Sequence, residues 1–215
     1  MKSLQIHSPE TIIKAYALGL FPMADSLHST GLRFYDPDVR GLIPLDQTVG
    51  NGIQIPRRLR RRIRQNPYEI TINKSFSAVI NACAETVCTR SDTWINEDIK
   101  RLYIALHKMG FAHSVEAWHQ GTLVGGIYGV SLRAAFFGES MFFRMTDASK
   151  IALVHLIARL HHGGFLLLDA QFSTEHLKQF GVTDVPRIDF QERLANAISF
   201  SANLDLLKPS LPMTK

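Results

Sequence analysis

The sequence predicts an α+β protein with a mixed, largely antiparallel sheet. Three observations predict this class: two segments of helical spacing lie in the middle of the chain, three strand-like segments joined by short turns follow them, and a helix and a short apolar strand come next. Consecutive strands with helices gathered on either side of them are typical of α+β folds. At 215 residues, the chain can form one large domain, or one domain and a small additional unit.

The first fifty residues are predicted to form that small unit. Ser8 can cap a helix that has proline at its first position, and Gly19 is placed to end this helix. A short extended segment is predicted at Arg40–Leu45. Because Gly50-Asn51-Gly52 is the best candidate for a linker, we expect an N-terminal domain at residues 1–50 and a larger domain at residues 51–215.

The remaining elements follow from apolar spacing and from turn residues. Helical spacing predicts a helix over Ser75–Val87, a helix that begins after Asn96, and a helix from a Thr146-Asp147 cap to Leu160. The predicted strands are Tyr68–Ile72, Ala112–Trp118, Leu123–Val130, Arg133–Phe137 and Phe165–Asp169.

Positive charge is concentrated in one further predicted helix. The net charge is +5, and six arginines lie in the segment R-R-L-R-R-R-I-R. They are Arg57, Arg58, Arg60, Arg61, Arg62 and Arg64. One interpretation is an ordinary helix that packs through Leu59 and Ile63 and leaves its arginines in solvent. Because no carboxylate lies among the arginines to relieve their repulsion, we favour a site for the phosphate backbone of a nucleic acid.

Three polar residues within or next to apolar segments are the candidates for a reactive site. Glu139 stands in F-F-G-E-S-M-F-F, and Asp169 and Gln171 close the apolar run F-L-L-L-D-A-Q. A carboxylate among large apolar residues loses solvation energy unless a cation or a hydrogen-bond donor meets it. Asp169 and Gln171 are two apart, so they share a face if the strand continues through them. These placements predict a built site rather than a solvated surface.

Other classes of site are not indicated. None of the nine histidines lies in a metal-ligand spacing, and Cys83 and Cys88 are spaced too widely for a C-x-x-C pair. Gly125-Gly126 lies within a predicted strand and is not part of a dinucleotide-binding motif. No apolar run reaches the ~18–20 residues of a membrane span, and no secretory signal is recognisable. Acyl-enzyme chemistry is disfavoured because neither Ser114 nor Ser140 has a base placed beside it.

Motifs along nearly the whole chain resemble those of the leucyl/phenylalanyl-tRNA–protein transferase family, in consistent order and spacing. They are Y-A-L-G-L-F-P-M at 16–23, D-P-D-V-R-G-L-I-P-L at 36–45, T-W-I at 93–95, A-H-S-V-E-A-W at 112–118, G-G-I-Y-G at 125–129, F-F-G-E-S-M-F at 136–142, A-S-K at 148–150 and D-A-Q at 169–171. One departure is Phe34-Tyr35-Asp36-Pro37, where the family commonly carries W-W-S-P.

The resemblance implies a bacterial cytoplasmic aminoacyltransferase. Such an enzyme moves Leu or Phe, and to a lesser extent Met, from aminoacyl-tRNA to proteins whose N-terminal residue is Arg or Lys, which marks them for degradation. The resemblance also implies that a small N-terminal domain precedes a domain similar to the acetyltransferase (GNAT) fold. No cofactor, metal or membrane is implied, and a monomer is expected.

The implied reaction forms an amide from an ester that is already activated, so it requires no nucleotide, metal or covalent intermediate. The main task is to hold a deprotonated α-amine, whose free pKa is ~8, against the ester carbonyl. The resemblance supports Asp169 and Gln171 as the catalytic residues, with the Gln171 carbonyl accepting a hydrogen bond from the attacking nitrogen and Asp169 orienting it. The alternative is that Asp169 caps the following turn and Gln171 is solvated.

Glu139 is interpreted as the partner of the acceptor's basic side chain or of its N-terminus, because carboxylates form charge-assisted hydrogen bonds with such groups. The alternative is that it caps the residues that follow it. Trp94 and Tyr103 are expected, from the resemblance, to hold the terminal adenosine of the tRNA, since stacking of a base on an aromatic ring contributes ~1–3 kcal/mol. Ordinary packing of a helix face is the alternative for both.

Selection of Leu or Phe requires a deep apolar slot. Phe136, Met141 and Leu167 are the candidates for its lining, and each can equally be a core residue. Two other functions remain open. An acyl-CoA-dependent N-acyltransferase would have the same fold, but the helix start R-M-T-D-A-S-K lacks the glycine- and arginine-rich loop typical of that class. A simple RNA-binding module would leave Glu139 and Asp169 unexplained.

Overall fold

The computed structural model describes residues 8–45, 53–86 and 92–204. The helices are α1 (Pro9–Ala17), α2 (Arg57–Arg64), α3 (Phe76–Ala84), α4 (Glu97–Lys108), α5 (Ala148–His162), α6 (Glu175–Lys178) and α7 (Arg187–Ser199). The strands are β1 (Phe21–Met23), β2 (Arg33–Tyr35), β3 (Val39–Leu42), β4 (Glu69–Ile72), β5 (Ala112–His119), β6 (Thr122–Leu132), β7 (Ala135–Phe143), β8 (Leu167–Asp169) and β9 (Thr183–Pro186).

Seven strands form one mixed sheet in the order β4-β5-β6-β7-β8-β3-β9, and β1 pairs with β2 in a separate two-stranded sheet. In the large sheet β7 and β8 are parallel, and the other neighbouring pairs are antiparallel. The predicted α+β class with a mixed sheet is therefore confirmed. β3, although it lies within the first fifty residues, is inserted between the late strands β8 and β9.

Two hydrophobic clusters cover the two faces of the large sheet. The first includes Tyr16 of α1, Phe137 of β7 and Phe190 of α7, together with the buried residues of α3 and α4. The second includes Leu59 of α2, Phe136 of β7 and the buried residues of α5. Because the adjacent residues Phe136 and Phe137 belong to different clusters, β7 is buried on both faces.

Most predicted elements are present, but some of their bounds differ. Ser8 caps α1 by accepting a hydrogen bond from the Thr11 N–H, and Asn96 caps α4 by accepting one from Ile99. The predicted bounds Arg133–Phe137 are wrong, since β7 runs from Ala135 to Phe143. The helix predicted over Ser75–Val87 ends at Ala84.

The predicted linker Gly50-Asn51-Gly52 and Cys88 lie outside the described residues, and the domain boundary at residue 50 stays a prediction. Asp147 precedes α5, but its side chain does not cap that helix. Within the described ranges, no helix is both long enough and apolar enough to cross a membrane.

Candidate active site

A β-bulge in β7 determines the position of Glu139. In the pairing of β6 with β7, Tyr128 lies opposite Ser140 and Gly129 lies opposite Gly138, so Glu139 is an extra residue with no opposite partner. A bulge bends the strand and changes the direction of the side chain at that point. Glu139 is therefore not a regular strand residue, and its direction is set by the irregularity.

The bulge also changes which residues face each side of the sheet. Phe137 and Phe142 are five apart, yet both belong to the first cluster, which a regular strand with a period of two would not allow. Gly129 permits the close approach at this point, because a Cβ there would lie 2.3 Å from the Phe137 carbonyl oxygen. A glycine is therefore required beside this irregularity in the sheet.

Two tyrosine hydroxyls hold the Glu139 carboxylate. Tyr16 donates a hydrogen bond of 2.5 Å to Oε1, and Tyr103 donates one of 3.0 Å to Oε2. The two hydroxyl oxygens are also 2.5 Å apart. Both tyrosines are fully buried, whereas Glu139 is only partly buried. The arrangement fixes the inner side of the carboxylate and leaves part of it accessible to a ligand.

The electrostatic environment of Glu139 is strongly perturbed. Burial raises the pKa of its carboxyl group from 4.5 to about 7, and the two tyrosine hydroxyls oppose this rise. The negative charge of Asp169 raises the pKa of Glu139 further, and the guanidinium of Arg40 opposes it. Burial, and then the charge of Glu139, raise the pKa of Tyr16 and Tyr103 well above the ordinary value for tyrosine. Within residues 8–45, 53–86 and 92–204, no cationic side chain forms an ion pair with Glu139, so a cation bound there would meet an uncompensated carboxylate.

Asp169, the last residue of β8, forms a buried ion pair with Arg40 of β3. The Arg40 Nη2 donates to Oδ2 of Asp169 and its Nε donates to Oδ1 at 3.4 Å, so one edge of the guanidinium faces both carboxylate oxygens. Both side chains are 0% exposed. Burial raises the pKa of Asp169, and the charge of Arg40 opposes that effect.

Gln171 follows in a turn rather than in the strand. β8 ends at Asp169, and Gln171 has a φ of 58°, which is the left-handed region. The premise that the strand continues through both residues is therefore wrong. Instead, the Gln171 N–H donates to Oδ1 of Asp169 at 2.8 Å. The Gln171 side chain is nearly fully buried, and its Nε2 has no hydrogen-bond partner among the described residues.

The register of β7 and β8 brings these groups together. Phe137 pairs with Asp169 at the end of the parallel ladder, and Glu139 lies two residues further along β7. The pairing stops there, so the edge of β7 that carries Glu139 has no β8 residue opposite it. Glu139, Asp169 and Gln171 are thus gathered where β7 and β8 separate.

The apolar candidates are distributed over both faces of the sheet. Phe136 and Met141 belong to the second cluster or pack against it, whereas Leu167 belongs to the first. Trp94 is partly buried against the first cluster, and its carbonyl accepts a hydrogen bond from Ala24. The structure thus separates Leu167 from the other two side chains. Tyr103 as a whole is 0% exposed and its hydroxyl bonds to Tyr16 and Glu139, so its ring does not offer a face on which a base could stack.

The arginine-rich helix α2 lies on the face of the large sheet that the second cluster covers. Leu59 and Ile63 of α2 are buried in the second cluster, as the helical spacing predicts. Four of the six arginines are exposed, and Arg60 and Arg62 are partly buried. The exposed ones are Arg57, Arg58, Arg61 and Arg64. The packing through two aliphatic residues is confirmed, and binding of a phosphate backbone by the exposed arginines stays a prediction.

Two residues of the site were missed by the sequence interpretation. Tyr16 is the first residue of the motif Y-A-L-G-L-F-P-M, and nothing in the spacing of that motif indicates that its hydroxyl meets a carboxylate. Arg40 lies inside the motif D-P-D-V-R-G-L-I-P-L and was not considered as a partner for a carboxylate. In the described part of the chain, no three His, Cys, Asp or Glu side chains meet in a group that could hold a metal ion.

Two family models match this chain. The model described as leucyl/phenylalanyl-tRNA protein transferase matches residues 48–195, and the model of the N-terminal domain of that family matches residues 7–38. The leucyl/phenylalanyl-tRNA–protein transferase of Maricaulis maris is 53% identical over 198 residues, which cover 92% of this chain and 89% of the relative. The proteins of the same name from Paramagnetospirillum magneticum and Rhodopseudomonas palustris are 51% and 48% identical, over 91% and 96% of this chain and 91% and 90% of theirs.

Proposed function

Because the chain belongs to the leucyl/phenylalanyl-tRNA–protein transferase family, we propose that it transfers Leu or Phe, and to a lesser extent Met, from aminoacyl-tRNA to proteins whose N-terminal residue is Arg or Lys. The product carries a new peptide bond at its N-terminus and is marked for degradation in the cytoplasm. The observation that carries the proposal is the gathering of Glu139, Asp169 and Gln171 where β7 and β8 separate.

Glu139 binds the positive charge of the acceptor in this proposal. Glu139 is a partly exposed residue, its carboxylate is held by Tyr16 and Tyr103, and none of the described cationic side chains forms an ion pair with it. A guanidinium or ammonium group at this position would form charge-assisted hydrogen bonds and would compensate for the cost of burying the carboxylate. The site therefore favours an acceptor that begins with a basic residue.

Gln171 and Asp169 act on the attacking nitrogen. The Gln171 backbone is fixed by Asp169, and its side-chain carbonyl is the group that accepts a hydrogen bond from the attacking amine in this proposal. Both oxygens of Asp169 are already engaged by Arg40 and Gln171, so Asp169 acts by orienting Gln171 rather than by taking the proton itself. Correct placement of the amine against the ester can supply several kcal/mol of catalysis, ~7 kcal/mol or more in well-oriented systems.

In this proposal the protein binds the aminoacyl-tRNA through its aminoacyl group, its terminal adenosine and its phosphate backbone. We assign the lining of the apolar slot to Phe136 and Met141, which lie on the same face of the sheet, whereas Leu167 packs in the core on the other face. The adenosine contact is assigned to Trp94, which is only partly buried. The exposed arginines of α2 contact the phosphates of the tRNA, which requires charge and little geometry. We extend the proposal to a GNAT-like catalytic domain formed mainly by the residues after 50, to whose mixed sheet β3 adds one strand from before that position.

A transfer assay tests the proposal. Purified protein is incubated with radiolabelled Leu-tRNA and a peptide that begins with Arg, and with the same peptide beginning with Ala. Label should enter only the Arg peptide, and uncharged tRNA with free leucine should give none. Incubation with labelled acetyl-CoA tests the N-acyltransferase alternative. Absence of transfer from Leu-tRNA, or acetyl transfer from acetyl-CoA, would contradict the proposal.

Variants then test the individual roles. Asp169→Asn and Gln171→Ala should lower the rate of transfer, whereas Glu139→Gln should raise the KM for the peptide and leave binding of aminoacyl-tRNA unchanged. Glu175→Gln is a matched control, because its carboxylate is exposed on α6 and its one ion pair among the described residues is with Lys178. Equal loss of peptide and tRNA binding in Glu139→Gln would indicate that Glu139 has a structural role.

A further inference from the structure

We propose that Arg40 is a positioning residue for the transfer reaction: it holds the Asp169 carboxylate so that the following turn presents Gln171 to the attacking amine. This inference rests on the proposed function and assigns a role to a residue that does not itself touch the substrate. It is carried by the enclosure of Arg40, by its contacts with Asp169, and by the backbone pairing of the next residue, Gly41.

The side chain of Arg40 is buried and held by contacts on several sides. Its side chain is 0% exposed, and its guanidinium carbon lies 4.9 Å from the ring centroid of Phe21 and 4.2 Å from that of Phe190. Its Nη1 donates a hydrogen bond of 2.6 Å to the Gly19 carbonyl oxygen. A planar guanidinium can stack between two rings and bind both oxygens of a carboxylate at once, whereas a lysine ammonium cannot. The residue type at this position is therefore specific.

The backbone next to Arg40 holds the same turn. Gly41 donates its N–H to the Gln171 carbonyl oxygen at 3.0 Å, and Ala170 donates its N–H to the Gly41 carbonyl oxygen at 2.9 Å. A Cβ at Gly41 would lie 2.8 Å from the Ser173 nitrogen, so only glycine allows this approach. The side chain of Arg40 and the backbone of Gly41 thus form one template for residues 169–171.

Positioning explains this arrangement better than stability does. Removing two charges from water costs several kcal/mol per ion, and well-packed apolar residues in place of a buried ion pair are often neutral or stabilising. Gln171 also occupies the left-handed region, which a residue with a side chain maintains only where the surroundings impose it. A fixed carboxylate that accepts from the Gln171 N–H is such a constraint.

The variants Arg40→Lys and Arg40→Met should lower kcat by about 10²-fold, the loss expected when a reacting group is displaced by ~1 Å. The KM values for Leu-tRNA and for the Arg peptide should change less than about twofold, because neither substrate loses a contact. The acid limb of the kcat profile of Arg40→Met should move to higher pH, since the guanidinium is the group that opposes protonation of Asp169.

A double-mutant cycle with Asp169→Asn separates positioning from general structural support. If Arg40 acts through Asp169, Arg40→Met should cost less than about threefold in kcat when Asp169 is already Asn. This double variant contains no unpaired buried charge, so it can fold even if Arg40→Met alone does not. The same factor on both backgrounds, or folded Arg40→Lys and Arg40→Met proteins with the wild-type kcat, would overturn the inference.

Failure of the inference can be distinguished from failure of the proposed function. If the wild-type protein is active and the folded Arg40 variants have the same kcat as the wild type, only the role of Arg40 is overturned. A folded wild-type protein that transfers no label from Leu-tRNA overturns the proposed function and, with it, the role of Arg40. A loss of kcat in folded Arg40 variants, reduced on the Asp169→Asn background, supports both.

Discussion

Replacing Glu139 by Gln should remove a pH dependence from the stability of the protein. The pKa of this carboxyl group is about 7 in the folded protein, against 4.5 as its ordinary value. Between these two pH values the folded state keeps a proton that the unfolded state has lost. The wild-type free energy of unfolding should therefore fall as the pH rises through this range and then stay constant above it. Glutamine does not titrate, so the variant should lack this fall.

The magnitude follows from the size of the pKa difference. At ~1.4 kcal/mol for each unit of pKa, the full difference corresponds to ~3 kcal/mol. Glu139 is partly exposed, and solvent screening reduces the expected effect to ~2 kcal/mol. The wild type should therefore lose ~2 kcal/mol relative to Glu139→Gln between about pH 5 and about pH 8.

Urea unfolding of both proteins, followed by circular dichroism at several pH values in this range, measures the difference. His155, whose pKa burial lowers to about 4, is present in both proteins, so its contribution cancels. The reasoning would be refuted if the two stability curves ran parallel across the range. It would also be refuted if the wild type gained stability relative to the variant as the pH rises.

Three further predictions concern the neighbours of Glu139, the packing of α5 and the arginine-rich helix. Tyr16→Phe removes a hydroxyl that lowers the pKa of Glu139, so in the same urea series the fall in stability should extend to higher pH. Gly125→Ala would place a Cβ 2.5 Å from that of Ala148 and should cost ~1–3 kcal/mol in urea unfolding. Gly138→Ala, with its nearest neighbour at 3.5 Å, is the control, and equal losses would contradict the prediction. Replacing the exposed arginines of α2 by Gln should weaken tRNA binding and lower its salt dependence by ~0.7–0.9 in log–log slope for each lost phosphate contact, whereas Arg33→Gln should not.

Local signals in the sequence predicted local structure well. Ser8 and Asn96 cap helices through residues three positions away. Leu59 and Ile63 of α2 are four positions apart on one face of their helix. Such short-range effects can be recognised from the neighbouring residues. The helix α7 was missed although Phe190, Leu194 and Ala197 have helical spacing. That omission was one of interpretation, since the signal was present.

The remaining features depend on distant residues or on a single extra residue. The bulge at Glu139 is not visible in a periodicity, and only the structure shows that Phe137 and Phe142, five positions apart, belong to the same cluster. Arg40 and its partner Asp169 are 129 positions apart, so no local pattern links them. The Glu139, Asp169 and Gln171 group was predicted from residue type, but the left-handed turn at Gln171 required the structure.

The position of β3 between β8 and β9 has a consequence for biosynthesis. A ribosome adds roughly 5–20 residues per second in bacteria. The 129 positions between Arg40 and Asp169 therefore correspond to roughly ten seconds of elongation, during which this strand has neither neighbour. In the nascent chain, Arg40 has no Asp169 to pair with, and β3 has neither of its neighbouring strands, until β8 has been synthesised. The turn at residues 169–171 can then assemble only after β8 has been synthesised, so shorter products released before that point would lack it.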